Sequence, residues 1–96
     1  MTTLNKGTKK YQYYLNAYKS TKGRKTLNDV YNYYSNDKHK AYLECLKIVR
    51  EYNGHNIHIT TYNKNVFTLG FRGWCPIKEE FCLYIITPTN IYRLYL

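Results

Sequence analysis

The chain of 96 residues carries 15 Lys and Arg against 6 Asp and Glu, a formal charge of +9 and a pI near 9.5, which fits one small basic domain whose natural partners are polyanions or acidic protein faces. No apolar run approaches the roughly 18 residues that a spanning helix needs, and Met1 to Lys10 lacks the apolar core of a signal peptide, so a soluble protein is expected. Three cysteines, Cys45, Cys75 and Cys82, are an odd number and imply reduced thiols in a cytosol rather than a disulfide framework.

Met1 to Gly7 shows no periodic pattern and reads as a flexible lead-in. From Thr8, the residues Tyr11, Tyr14, Leu15 and Tyr18 recur at i, i+3, i+4 and i+7, which places them on one face of a short helix. Lys9, Lys10 and Lys19 fall outside that face. Ser20 to Lys25 breaks the pattern with polar residues and Gly23, so it is expected as an exposed loop, and it is the most basic stretch. No acid precedes Asp29, so the fields of Lys9, Lys10, Lys19, Lys22, Arg24 and Lys25 add. Thr26 and Asp29 have the form of a helix start, and Leu27, Val30, Tyr31 and Tyr34 repeat the helical spacing to about Ser35. A third helix begins after the cap candidates Ser35, Asn36 and Asp37, runs to about Tyr52 and closes at Asn53-Gly54. Its apolar rows contain Leu46, Val49, Cys45 and Ile48, while Lys40, Glu44, Lys47 and Glu51 alternate in charge on the far side.

The second half changes period. His55 to Tyr62 and Val66 to Phe71 alternate around Asn63-Lys64-Asn65, and Phe81 to Ile86 and Ile91 to Leu96 flank the turn Thr87 to Asn90. The expected fold is therefore a single α+β domain spanning 1–96. Residues 1–7 are flexible, 8–53 helical, and 54–96 form a four-stranded antiparallel sheet of two sequential hairpins against which the N-terminal helices pack. Gly73 to Glu79, with Trp74, would connect the hairpins. Alternation assigns Ile57, Ile59, Phe67, Leu69, Phe71, Phe81, Leu83, Ile85, Tyr92, Leu94 and Leu96 to the face under the long helix. Tyr62, Arg72, Tyr84, Arg93 and Tyr95 then lie on an open face. The strand Phe81 to Ile86 is apolar on both sides, as a central strand is.

Two regions have the residue types of a binding surface. Lys9 to Lys25 interleaves cations for phosphates with aromatic rings, although the tyrosine spacing itself is that of a core-facing helix side. The open sheet face offers Tyr62, Tyr84 and Tyr95 with Arg72 and Arg93 as a stacking platform, or alternatively as a surface covered by another protein or a second copy. His39, His55 and His58 do not join the cysteines at zinc-ligand spacing, and Cys75 and Cys82 are separated by six residues. No metal, cofactor or catalytic residue is expected: Cys45 and Cys82 read as buried packing, and the acids as caps, surface pairs and loop charges.

Lys, Asn, Tyr and Ile, all specified by AT-rich codons, dominate the chain. In size, composition and charge it resembles small proteins carried by phages and plasmids of low-GC Gram-positive bacteria, among which anti-CRISPR and other host-takeover proteins occur. The resemblance implies a mobile-element protein acting in the cytosol of a bacterial host and assigns no residue a role. The expectation from the residues is a non-enzymatic binding protein that engages nucleic acid or a nucleic-acid-handling complex. In that reading Lys9, Lys10, Lys19, Lys22, Arg24 and Lys25 supply charge, and Arg72 and Arg93 assist. The alternatives are a protein inhibitor docking on a host defence enzyme through Trp74, and a structural homodimer.

Overall fold

A computed structural model describes residues 1–20, 23–33, 40–59 and 68–96, with residues 33 and 40–42 described by their backbone alone. In chain order the elements are β1 (Thr2–Leu4), α1 (Lys9–Ser20), α2 (Leu27–Tyr33), α3 (Lys40–Glu51), β2 (His55–Ile59), β3 (Leu69–Cys75), β4 (Glu80–Ile86) and β5 (Ile91–Leu94). The class is α+β. Among the described residues five strands form one sheet in the order β1-β5-β4-β3-β2.

The helix boundaries follow from local chemistry. Thr8 caps α1: its hydroxyl accepts from the Tyr11 amide at 3.3 Å. At α2, the Thr26 hydroxyl accepts from the Asp29 amide and the Asp29 carboxylate accepts from the Thr26 amide, both at 3.2 Å, a reciprocal pair that satisfies two amides of the first turn. The last turn of α3 closes with Asn53 at φ 52° and the Gly54 amide donating to the Val49 carbonyl at 2.7 Å, so the chain leaves the helix directly into β2.

The sheet departs from two sequential hairpins of a purely antiparallel sheet in three ways. Thr2–Leu4, in the expected flexible lead-in, is a strand that runs parallel to β5 with Thr2 opposite Tyr92 and Leu4 opposite Leu94. Three residues are too few to show alternation, and what recruits them is the unpaired edge of β5. Secondly, β3 does not end before Trp74 but continues to Cys75, which stands opposite Glu80, so β3 and β4 form a long hairpin across residues 76–79. The first three residues of the segment expected as a plain connection, Gly73 to Cys75, are strand and the other four are the turn, and β2 to β5 form a meander. The third departure is that the helices cover both faces.

On one face, Leu46 and Val49 of α3 and Val30 of α2 pack with Ile57, Leu69, Phe71, Cys82, Tyr84 and Ile86. On the other, Tyr11, Tyr14, Leu15 and Tyr18 of α1 pack with Leu83, Ile85, Tyr92 and Leu94. This corrects the expected faces of β4 and β5: Leu83, Ile85, Tyr92 and Leu94 lie under α1, while Tyr84 lies under α3. Phe67 falls outside the described residues. Both faces of β4 are apolar, so its alternation holds no information about which side meets which helix, and the tight turn to β3 decides it. As expected for a central strand, Cys82 to Ile86 are all buried. Close packing of α1 requires a glycine beneath it: a Cβ on Gly70 would come within 3.0 Å of both Tyr18 Cδ2 and Ile85 Cδ1.

Candidate functional site

Among the described residues, a cluster of cations is assembled where the end of α1 meets the start of β2. The β2–β3 register shifts between His55 and His58, and Asn56 sits at φ 52°, a bulge that turns its carbonyl toward α1. That carbonyl accepts the Tyr18 hydroxyl at 2.9 Å. Beside the bulge, Lys25 and Ile57 exchange backbone hydrogen bonds of 2.8 and 2.9 Å, which fixes the preceding residue, Arg24, above α1. Its guanidinium lies 4.4 Å from the Tyr18 ring centroid and donates to the Tyr18 carbonyl at 3.1 Å, occupying the negative end of the helix. A guanidinium has five N–H donors, and Arg24 is exposed, so this one hydrogen bond does not use up its donors.

Arg24, Lys19 and Arg72 line one pocket of about 250 Å³ together with Leu15, Tyr18, Asn56 and Leu96. Lys19 and Arg24 are exposed and Arg72 is half-buried. No Asp or Glu side chain lines the pocket. The one ion pair between described residues, Lys47 with Glu44 at 3.2 Å, is on α3. The concentration of charge is felt by its neighbours. Burial raises the Tyr18 hydroxyl above its ordinary pKa, against the opposing pull of Arg24 and Arg72. Burial and then Arg24 hold His58, edge-on to Tyr18 at 6.2 Å, below the usual histidine range. The cations that line the pocket are Lys19, Arg24 and Arg72.

The residues singled out from sequence fall into three groups. Lys19, Arg24 and Arg72 converge on the pocket. Lys25 stands beside it, and Lys9 and Lys10 are exposed further along α1, Lys10 over the Tyr92 ring at 4.5 Å. Lys22 and Tyr62 lie outside the described residues. Tyr84 and Arg93 do not form part of a surface. Tyr84 is fully buried, Arg93 is 7% exposed, and the Arg93 Nε donates to the Tyr84 hydroxyl at 3.2 Å. Tyr95, half-buried, packs against the same core, with its hydroxyl 3.6 Å from Cys75 Sγ. The expected platform is thus divided between two faces: Arg72 is on the α1 side, and Tyr84, Arg93 and Tyr95 are on the α3 side. The register of β3 with β4 and of β4 with β5 causes this, because Tyr84 pairs with both Phe71 and Arg93.

Trp74 is on the same sheet face as Arg72, two residues along β3, and is 36% exposed. It stands opposite Phe81, itself 45% exposed, with ring centroids 5.3 Å apart. His55, opposite Arg72, contacts the same Phe81 ring at 5.3 Å. Neither Phe81 nor His55 was expected at a surface site, and Tyr18 and Asn56 were not expected to shape one. The helical spacing already marked Tyr18 as inward-facing, whereas nothing local announces the bulge at Asn56.

Among the described residues no group of three or more His, Cys, Asp or Glu side chains is placed to hold a metal ion. No described helix is long and apolar enough to cross a membrane. No protein-family model, curated protein or solved structure matches the chain.

Proposed function

We propose that the protein is a non-enzymatic binding protein that engages nucleic acid through the basic surface at the end of α1. The observation that carries this reading is the convergence of Lys19, Arg24 and Arg72, from three separate segments, on one pocket without an acidic side chain. Like charges brought together at a folded surface repel one another, and a phosphate backbone offsets that repulsion while releasing its counterions. The exposed Lys9 and Lys10 extend the field along α1. The AT-rich-codon composition and the three free cysteines support a mobile-element protein working in the cytosol of a bacterial host.

Affinity for nucleic acid tests the reading. With three phosphates neutralised, the log-log salt slope is about −2 to −3, so raising salt from 50 to 200 mM weakens binding by roughly 20- to 40-fold. Lys19→Ala lowers the slope by about one unit. Absence of binding at 50 mM salt, or binding that is insensitive to salt, refutes it.

A second reading, a protein inhibitor docking on a host enzyme, is favoured by one observation: Trp74 and Phe81 form an exposed aromatic pair of the kind enriched at protein hot spots. Under that reading Trp74→Ala abolishes capture of the partner and Lys19→Ala changes mainly its salt dependence.

A further inference from the structure

Resting on the nucleic-acid reading, we infer that the ligand is single-stranded and that Trp74 and Phe81 form the platform on which an unpaired base stacks.

Helix α1 covers only part of its sheet face. Over Leu83, Ile85, Tyr92 and Leu94 the cover is complete, with exposures of 0 to 6%. At the β3–β4 turn the same face emerges from beneath the helix, and there the side chains are aromatic: Trp74 at 36%, Phe81 at 45% and His55, also exposed. Solvated strand ends ordinarily carry Lys, Glu, Ser or Thr, whereas here a Trp and a Phe stand side by side at a paired strand end with a histidine ring against the Phe.

What fits this surface is decided by its neighbour. Arg72 and Trp74 share a face two residues apart on β3, about 7 Å along the strand. That is comparable to the separation between the phosphate and the base of one nucleotide. Arg72 belongs to the pocket with Lys19 and Arg24, so a backbone phosphate held there places the attached base over Trp74 and Phe81. The two rings meet edge to face, 75° between their planes, so a base that stacks on the face of one meets the edge of the other. Cations alone do not distinguish a duplex from a single strand. A stacking surface does, because only an unpaired base presents its π-face. On the Arg72 side of the pair the charge is positive, while the exposed Glu79 and Glu80 stand at the turn on its other side, so a phosphate-linked ligand is favoured in the direction of the pocket, with its base reaching the rings from there.

The test uses the full chain with fluorescein-labelled oligo(dT) 12-mer and, in parallel, the same strand annealed to oligo(dA). The single strand is expected to bind more tightly than the duplex and to quench the fluorescence of Trp74, the sole tryptophan. By anisotropy, Trp74→Ala loses about 5- to 150-fold in affinity for the single strand, the range for one stacked base, and leaves duplex affinity unchanged. Trp74→Phe retains most of the single-strand affinity, and the melting curve of each variant shows that the fold is kept. Equal affinity for single strand and duplex overturns the inference, as does a well-folded Trp74→Ala that binds the single strand like the wild type. If Lys19→Ala still lowers the salt slope in that case, the basic site stands and only the stacking fails. If no oligonucleotide binds at 50 mM salt, the nucleic-acid reading itself fails. Loss of an acidic protein partner on Trp74→Ala, with oligonucleotide binding intact, assigns the aromatic surface to that protein and overturns the inference.

Discussion

The bulge at Asn56 is held by one hydrogen bond from α1, and Tyr18→Phe isolates its contribution. Tyr18 is 5% exposed and its hydroxyl donates to the Asn56 carbonyl at 2.9 Å. Removing the oxygen leaves the carbonyl without that donor but keeps the ring, and with it the packing over Gly70 and the contact with Arg24 at 4.4 Å. A hydrogen bond of this kind contributes about 1 kcal/mol net. In a domain of this size that lowers the melting temperature by about 4–8 °C. Tyr18→Ala, which removes the ring as well, costs about 3–5 kcal/mol. Thermal melts by circular dichroism separate the two variants, and anisotropy with a labelled oligonucleotide follows the site. Tyr18→Phe is expected to lose stability while keeping its salt slope, because Arg24 retains both the ring and the Tyr18 carbonyl. A Tyr18→Phe variant that melts within about a degree of the wild type refutes the claim that this bond holds the bulge.

Thr26→Ala removes one half of the reciprocal cap of α2 and costs about 1 kcal/mol by denaturant titration. Asp29 is held below its ordinary pKa by the Thr26 hydroxyl and amide, so its contribution is present above the unfolded value near 3.8 and is lost as the pH falls through the folded one; the penalty of Thr26→Ala should shrink at low pH. His58 responds to acid in the same direction but at higher pH: with its folded pKa below 6.5, the unfolded chain binds the extra proton first. Stability therefore declines as the pH falls from about 6.5 toward the folded value, and the His58 ring resonances titrate below those of a free histidine in NMR. Cys45, pushed up to about 11 by burial and then by Glu44, should resist alkylation by iodoacetamide at pH 8 in the folded protein and react on unfolding.

Much of this fold can be read from spacing. Tyr11, Tyr14, Leu15 and Tyr18 define α1 and its inner side, Thr26 and Asp29 mark the start of α2, and Asn53-Gly54 mark the end of α3. What spacing does not reveal is pairing. The run from Phe81 to Ile86 is apolar at every position, so alternation identifies β4 as central but not which face meets which helix. The turn after Cys75 makes that choice, and it moves Tyr84 and Arg93 into the core and leaves Trp74 and Phe81 at the surface. β1 is too short to carry a pattern, and its partner lies at the other end of the chain. The pocket is similarly non-local. Lys19 and Arg24 are readable as neighbours in a basic segment, but their meeting with Arg72 depends on the Asn56 bulge and on the Lys25–Ile57 pairing, both of which are properties of backbone geometry.

The central claim, that Lys19, Arg24 and Arg72 hold the phosphates of a strand whose base reaches Trp74, is tested most directly by titrating the intrinsic tryptophan fluorescence with oligo(dT) at 50 and 200 mM salt. The expected result is quenching at both concentrations with an affinity about 20-fold weaker at the higher one, as three single-strand phosphate contacts require. Fluorescence that does not respond to the oligonucleotide, or quenching with the same affinity at both salt concentrations, would contradict it.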